Sequence, residues 1–435
     1  MDRRLSVCHV STFSPTQCGI ATYTEDLIQS LREVISTKIR LSYDDGIATY
    51  TEDLIQSLRD VISTKIRLSY DDGIATYTED LIQSLRDVIS TKIRLSSDGG
   101  VEPAFEKTIR IRRRRSYNEA VAYINESVGI DLVSIQHEFG IFGGKTGDFV
   151  LKLANGIRKP IVTTFHTLRA GMDRREKQVI GELASRSARV VVLTEASAKT
   201  LICVVGVPAS KVEVIRQGIP EVDFRKPESC DARKGLNASV VFVSAGHLRS
   251  SKGYHIALQA LARYKEIDPH FKYVILGTNQ PQFPEEAAYR IVLERDIVRL
   301  GLKANIVRVD SYLSRDEMLG QIMGADIGLV TYTLEEQSAS GILPLFLGCG
   351  RVVISTAFAC ARSIHRDVEG LFLAEMNDPE SVFRIIAQIA PDKDRLSNLM
   401  AANYRATRGW VWARAAEQYR RVFQESAMHC DNESR

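Results

Sequence analysis

The sequence has no apolar run near the roughly 20 residues that a membrane-spanning helix needs, so none is expected. It has little net charge, +3 formally over 435 residues. A dedicated nucleic-acid binder gathers a strong basic excess on one face, so no nucleic-acid partner is expected. Cysteine is sparse and scattered. Cys8, Cys18, Cys203, Cys230, Cys349, Cys360 and Cys430 stand singly, without a C-x-x-C pair. An odd count without metal-type spacing argues against a zinc site or a disulfide framework, and for reduced thiols in a cytoplasmic protein. The stretch from Met1 to Pro15 opens basic, but its apolar run falls short of the about 7–15 residues of a secretory signal. It reads as a first buried strand. No G-x-G-x-x-G fingerprint, Walker loop, H-E-x-x-H pair or Ser-His-Asp elbow is present.

What is there begins with length, which is too great for one ordinary core and implies two domains. A segment starting at Gly19, GIATYTEDLIQSLREVISTKIRLSYDD, recurs almost letter for letter at Gly46 and Gly73, a period of 27 residues. Each unit reads as a helix followed by a short strand. Thr22 or Thr24 is placed to cap the helix, Leu27, Ile28, Leu31 and Ile35 follow helical spacing, and Lys38–Leu41 alternates as a strand does. A solenoid shares a pattern rather than identical letters. The three units, spanning 19–99, read instead as an in-frame duplication inside an α/β domain that needs one copy.

Beyond the repeats, helical and strand patterns alternate. Helices are expected at Ala120–Val128 and Arg174–Arg186. Strands are expected at Asp131–Ile135, Ile161–Phe165, Arg189–Leu193 and Lys211–Ile215. A polar stretch through Asn237 then precedes a second series, at Ser239–Ala245, Tyr273–Leu276, Asn305–Val309, Ile327–Val330 and Val352–Ser355. Two such series predict two doubly wound parallel sheets, with ligands beyond the carboxyl ends of their strands. The expected division is 1–220, 221–405 and a final helix and tail over 406–435.

The loops after those strands hold the candidate residues. Gly19 follows a first-strand loop and would let backbone amides approach a phosphate or a sugar oxygen. His137 and His166 both end strands, where an imidazole can bond a hydroxyl or a phosphate. Glu138 stands beside His137 as its partner, and Gly140–Gly144 reads as a loop at the mouth. Gly246-His247-Leu248-Arg249-Ser250-Ser251-Lys252-Gly253 places cations in a glycine-flexed loop suited to a diphosphate. Glu336, Gln337, Ser340, Gly341 and Ile342 stand ahead of an apolar segment, offering a carboxylate and helix-entrance amides. The run Arg110–Arg115 reads as a solvated edge or as peripheral contact, through Arg112–Arg115, with an anionic acceptor or lipid headgroups.

In order and spacing these pieces resemble the group 1 (family 4) retaining glycosyltransferases of GT-B fold, over nearly the whole chain once the duplicated units are set aside. The resemblance runs through Cys18–Leu27, Gln136–Gly140, Thr164–Thr167, Gly246–Gly253 (the family's G-R-L-x-x-x-K-G loop), Leu276-Gly277, Gly341–Gly350, Val353–Thr356 and Trp410–Phe423. It implies two Rossmann-like domains facing across a cleft, with a last helix crossing back to the first domain. A hexose would move from a nucleotide-diphosphate sugar to a glycan, lipid-linked or small-molecule acceptor, without metal or cofactor and with retention. His137, Lys252 and Glu336 would be catalytic. Gly19, Gly246, His247, Arg249, Gln337, Ser340, Gly341 and Ile342 would hold the donor, with His166, Glu138 and Gly140 on the acceptor side.

Two departures bear on this. His247 stands where the loop's arginine is usual, and Leu345 stands at the second glutamate of the E-x7-E motif, where leucine cannot bond a ribose. A relic that binds nucleotide or glycan without transfer is therefore the rival reading. An epimerase would need paired carboxylates that are not found. Lys252 far from the cleft, or His137 turned into an apolar interior, would overturn the enzyme reading.

Overall fold

Valine and isoleucine dominate the predicted strands because a parallel sheet covered on both faces rewards apolar residues at every position. The computed structural model describes residues 5–11, 19–41, 88–96, 107–110, 112–277, 284–311 and 313–433. Within these it forms two parallel sheets.

The first sheet is seven-stranded: β1 (Leu5–Ser11), β2 (Val88–Ser96), β3 (Lys107–Arg110), β4 (Leu132–His137), β5 (Ile161–Phe165), β6 (Arg189–Val192) and β7 (Val212–Val214), in the order β3-β2-β1-β4-β5-β6-β7. The second is six-stranded: β8 (Val241–Ala245), β9 (Lys272–Leu276), β10 (Ile306–Val309), β11 (Ile327–Val330), β12 (Val352–Thr356) and β13 (Leu371–Ala374), ordered β10-β9-β8-β11-β12-β13. Strand order reverses between β1 and β4 and again between β8 and β11. At such switch points the loops leaving the carboxyl ends diverge and open a crevice.

The chain divides into two compact units, Met1–Phe165 with Arg175–Val191 and Ala413–Arg435, and His166–Arg174 with Val192–Trp412. The residues of β7 group with the second unit. The helix Trp412–Glu433 lies almost wholly in the first unit, where the Tyr419 hydroxyl meets the Tyr23 hydroxyl at 2.8 Å and the Thr164 hydroxyl at 2.9 Å. In the second unit, Phe242, Leu261, Tyr264 and Phe271 fill one face of the sheet, and Val243, Phe346 and Phe358 the other. Among the described residues no helix is long and apolar enough to cross a membrane.

One fully buried cation belongs to this core. Arg351 donates to the carbonyls of Cys349, Met323, Ala325 and Arg225 at 2.7–3.0 Å. Backbone oxygens thus supply the bonds that water would otherwise provide, which is what makes a buried guanidinium tolerable.

Several expectations are corrected. Lys38–Leu41 is not a strand but the last part of a helix running Gly19–Leu41. Thr22 and Thr24 lie inside that helix rather than at its cap, and the Thr24 hydroxyl donates to the Ile20 carbonyl at 2.8 Å. The helix expected at Ala120–Val128 spans Arg114–Glu126 instead. Residues 42–87, with the second repeat unit and most of the third, lie outside the described residues. Among the described residues the letters VISTKIRL occur at Val34–Leu41, as helix, and at Val88–Leu95, as the body of β2 paired with β1 and β3. β-branched residues with interspersed Lys and Arg suit either state, so the neighbouring strands decide.

This identity makes a deletion informative. Removing residues 42–95, two repeat periods, leaves Val34–Leu41 in β2's place in the sequence. The shortened chain should fold cooperatively, with Val34–Leu41 converted to strand. Far-ultraviolet circular dichroism and thermal melting check this, and loss of a cooperative transition would contradict it.

Candidate active site

The second unit assembles the better-formed half of the expected site. β8 ends at Ala245 and the chain turns through Gly246, whose φ of +129° only glycine adopts comfortably. The Gly246 amide donates to the Leu276 carbonyl at 3.0 Å, and its own carbonyl accepts from the Tyr254 hydroxyl at 2.9 Å. Gly253 closes the loop at φ +68°, and a Cβ there would lie 1.7 Å from the Thr331 carbonyl oxygen. The β8 loop thus lies directly against the chain leaving β11, across the switch point.

That approach fixes Lys252. Its ammonium stands 4.0 Å from the centre of the Tyr332 ring, a cation–π contact. Tyr332 stacks on Phe358 at 4.9 Å, and its hydroxyl lies 3.4 Å from Ser340 Oγ. Ser340 Oγ in turn accepts from the Leu343 amide at 3.3 Å, in the first turn of the helix Ile342–Gly348 that Gly341 leads into. Lys252 and Ser340, 88 positions apart in sequence, are therefore gathered on one aromatic ring. Ser340 also lines a small open pocket with Thr194, Arg216, Gln217, Cys360 and Trp410.

The other cations of the loop are also held. Arg249 Nε donates to the carboxylate of Glu286, which is fully buried, and His247 Nδ1 lies 4.0 Å from the same carboxylate. Glu286 was not anticipated from sequence, nor was Tyr332. Glu336 is turned to the segment His166–Arg174, its carboxylate accepting from the Gly171 amide at 2.9 Å. Ser338 Oγ accepts from the Leu168 amide at 3.0 Å, so two side chains of this loop hold the segment that begins with the buried His166. The Gln337 amide folds back onto the Ala339 carbonyl at 2.9 Å. Leu345 packs against the apolar core, where it offers no acceptor.

The first unit departs from expectation. His137 ends β4 as predicted, yet it is fully buried, and among the described residues neither ring nitrogen has a hydrogen-bond partner. Phe142 stacks on its ring at 5.8 Å with 13° between planes, while Phe139 and Phe165 present edges at 5.2 and 5.4 Å. Burial pushes its pKa down to about 3. The ring is thus neutral and enclosed by aromatic side chains, the interior position that counts against a catalytic His137, and the case for transfer falls to Lys252. Glu138, expected as its partner, instead accepts from the Phe139 amide at 3.1 Å, and Gly140 lies in the short turn Phe139–Ile141. Gly19 opens the first helix. Arg112–Arg115 are exposed, with Arg115 paired to Glu119 at 3.2 Å.

With this geometry in place, comparison with known proteins is informative. Residues 45–221 match the profile of Glycosyltransferase Family 4. No curated protein matches the sequence. Among solved structures, Anabaena HepE in complex with UDP and glucose is similar at 16% identity, covering 97% of this chain and 100% of its own, with a TM-score of 0.64. Sucrose-phosphate synthase from Thermosynechococcus elongatus is similar at 14% identity, covering 97% and 99%, with a TM-score of 0.65. A glycosyltransferase from Rickettsia africae is similar at 14% identity, covering 98% and 99%, with a TM-score of 0.63. The two parallel-sheet α/β domains are those of the GT-B fold.

Two measurements test this geometry. Gly253→Ala should cost about 2–4 kcal/mol by chemical denaturation, since a positive φ and a carbonyl clash act together. For His137, the folded pKa lies below the unfolded value of 6.5, so its contribution is present above pH 6.5 and is lost as pH falls toward 3. His137→Leu should remove that part of the acid destabilisation, up to about 1.4 kcal/mol per pH unit. Identical pH–stability curves for the two proteins would show that the ring is not buried neutral.

Proposed function

We propose that this chain is a glycosyltransferase that moves a hexose from a nucleoside-diphosphate sugar to an acceptor hydroxyl. One observation carries the reading: Lys252 and Ser340 converge on Tyr332 beside the switch point of the second sheet. In transfer, the bond between the anomeric carbon and the diphosphate oxygen breaks, and negative charge gathers on the departing group. Lys252 is the cation placed to meet that charge, with Arg249 held behind it by Glu286. Preorganised charge of this kind lowers the barrier because nothing has to reorient as the bond breaks. The acceptor hydroxyl attacks on the face the diphosphate leaves, passing its proton to a phosphate oxygen, so configuration is retained. The charge is met by side chains, which in this reading makes the reaction independent of metal.

The profile match over residues 45–221 supports such an enzyme, and the HepE complexes make a uridine donor the first to try. The exposed Arg112–Arg115 suit an anionic acceptor or lipid headgroup. Cys230, Cys349 and Cys360 are buried thiols, which suits a reducing cytoplasm.

Purified protein should release nucleoside diphosphate from at least one of a panel of nucleoside-diphosphate sugars. Lys252→Ala should lower kcat about 10²–10³-fold, the scale for removing one charge-stabilising group, while leaving the melting temperature nearly unchanged. Tight nucleotide binding without turnover by the wild type would replace the enzyme with a binding protein. Full turnover by Lys252→Ala would remove Lys252 from its role.

A further inference from the structure

Transfer of a sugar gives the threefold repeat no task. β2, Val88–Ser96, reads VISTKIRLS, and the same nine letters occur at residues 34–42 and 61–69. Of these earlier copies, residues 34–41 form the end of the helix Gly19–Leu41.

β2 is an interior strand of the first sheet. It pairs in parallel with β1, from Leu5 opposite Val88 to Ser11 opposite Arg94, and with β3, from Ile93 opposite Lys107 to Ser96 opposite Arg110. An identical stretch laid in the same register remakes each of these pairs with the same residue. Sheet pairing therefore gives no preference between copies. Residues 34–41 are also indifferent helix formers, because Val34, Ile35, Thr37 and Ile39 are β-branched and lose rotamer freedom in a helix. Among the described residues, those that seat this helix in the core are Ala21, Tyr23, Leu27, Ile28 and Leu31, and all of them precede Val34. That packing survives if the last turns unwind.

The connections do not forbid an exchange. A parallel crossover needs a dozen or more residues, and residues 12–33 supply them, with 19–33 still helical. The connection onward to β3 lengthens as the one from β1 shortens. Closure cost rises only with the logarithm of length, so the two changes largely offset.

We propose that the β2 place has interchangeable occupants: residues 34–41 can leave their helix and pair between β1 and β3 in place of residues 88–95. The intact chain thus carries a spare copy of one of its own interior strands, and damage to one copy is absorbed by another.

Proline substitution in the intact chain tests this, because proline lacks the N–H that a strand flanked on both sides must donate. Ile93 is so flanked, by Val10 and Lys107. Ile66→Pro is combined with Ile93→Pro so that the middle copy is blocked as well. The double variant should still melt cooperatively, within about 5 °C of the wild type. Its far-ultraviolet helix signal should fall as residues 34–41 join the sheet. Ile39→Pro alone, near the helix end, should also stay within about 5 °C of the wild type. Added to the double variant, it should abolish the cooperative transition. A double variant that no longer melts cooperatively would overturn the exchange, since no spare strand has stepped in. So would a double variant that keeps the wild-type helix signal, or one in which Ile39→Pro costs no more than it does alone; either would mean that β2 tolerates proline where it stands. None of these measurements requires turnover, so failure of the exchange and failure of the transfer reading are seen separately.

Discussion

The second unit turns on one close approach, that of the Gly253 backbone to the Thr331 carbonyl. Because no side chain intervenes, the loop leaving β8 rests on the segment leaving β11, and Lys252 falls over Tyr332. Tyr332 is itself fixed on both sides, by Phe358 beneath its ring and by the Thr356 hydroxyl, which donates to its carbonyl at 2.6 Å. Ser340 then has a fixed phenol to meet. A flexible lysine gains a defined position this way without a carboxylate that would cancel its charge. That suits a group meant to receive an anion.

The same molecule treats two buried nitrogenous side chains in opposite ways. Arg351 is fully buried and carries a permanent charge, yet four carbonyls surround its guanidinium, and Asn403 bonds its backbone carbonyl at 2.9 Å. His137 is equally buried, with aromatic rings where its acceptors and donors should be. The first arrangement is that of a structural residue whose polar needs are met. The second leaves a neutral imidazole without a hydrogen-bond partner among the described residues.

Much of the fold was legible because the strands are apolar runs bounded by polar turns. Ile161–Phe165, Arg174–Arg186 and Ile327–Val330 were read with their observed limits. Lys38–Leu41 was not, since its letters carry no decisive preference and pairing with β1 falls to the later copy. The glycine-and-lysine loop was legible because positive φ and a cation leave marks in the local sequence. Tyr332 and Glu286 left none, since their roles arise from residues far along the chain. His137 was placed at a strand end correctly but turned the wrong way. Phe139 and Phe142, within five positions of it, were the signal that an apolar cage rather than solvent would surround the ring.

The hydroxyl chain from Thr164 through Tyr419 to Tyr23 has a consequence for biogenesis. The first unit borrows Ala413–Arg435 to complete its core, and the ribosome makes that segment after every residue of the second unit. During translation, the earlier lobe is made before the Tyr419 hydroxyl that meets Tyr23 and Thr164. The first unit's packing is thus completed only after the second unit's residues have been made.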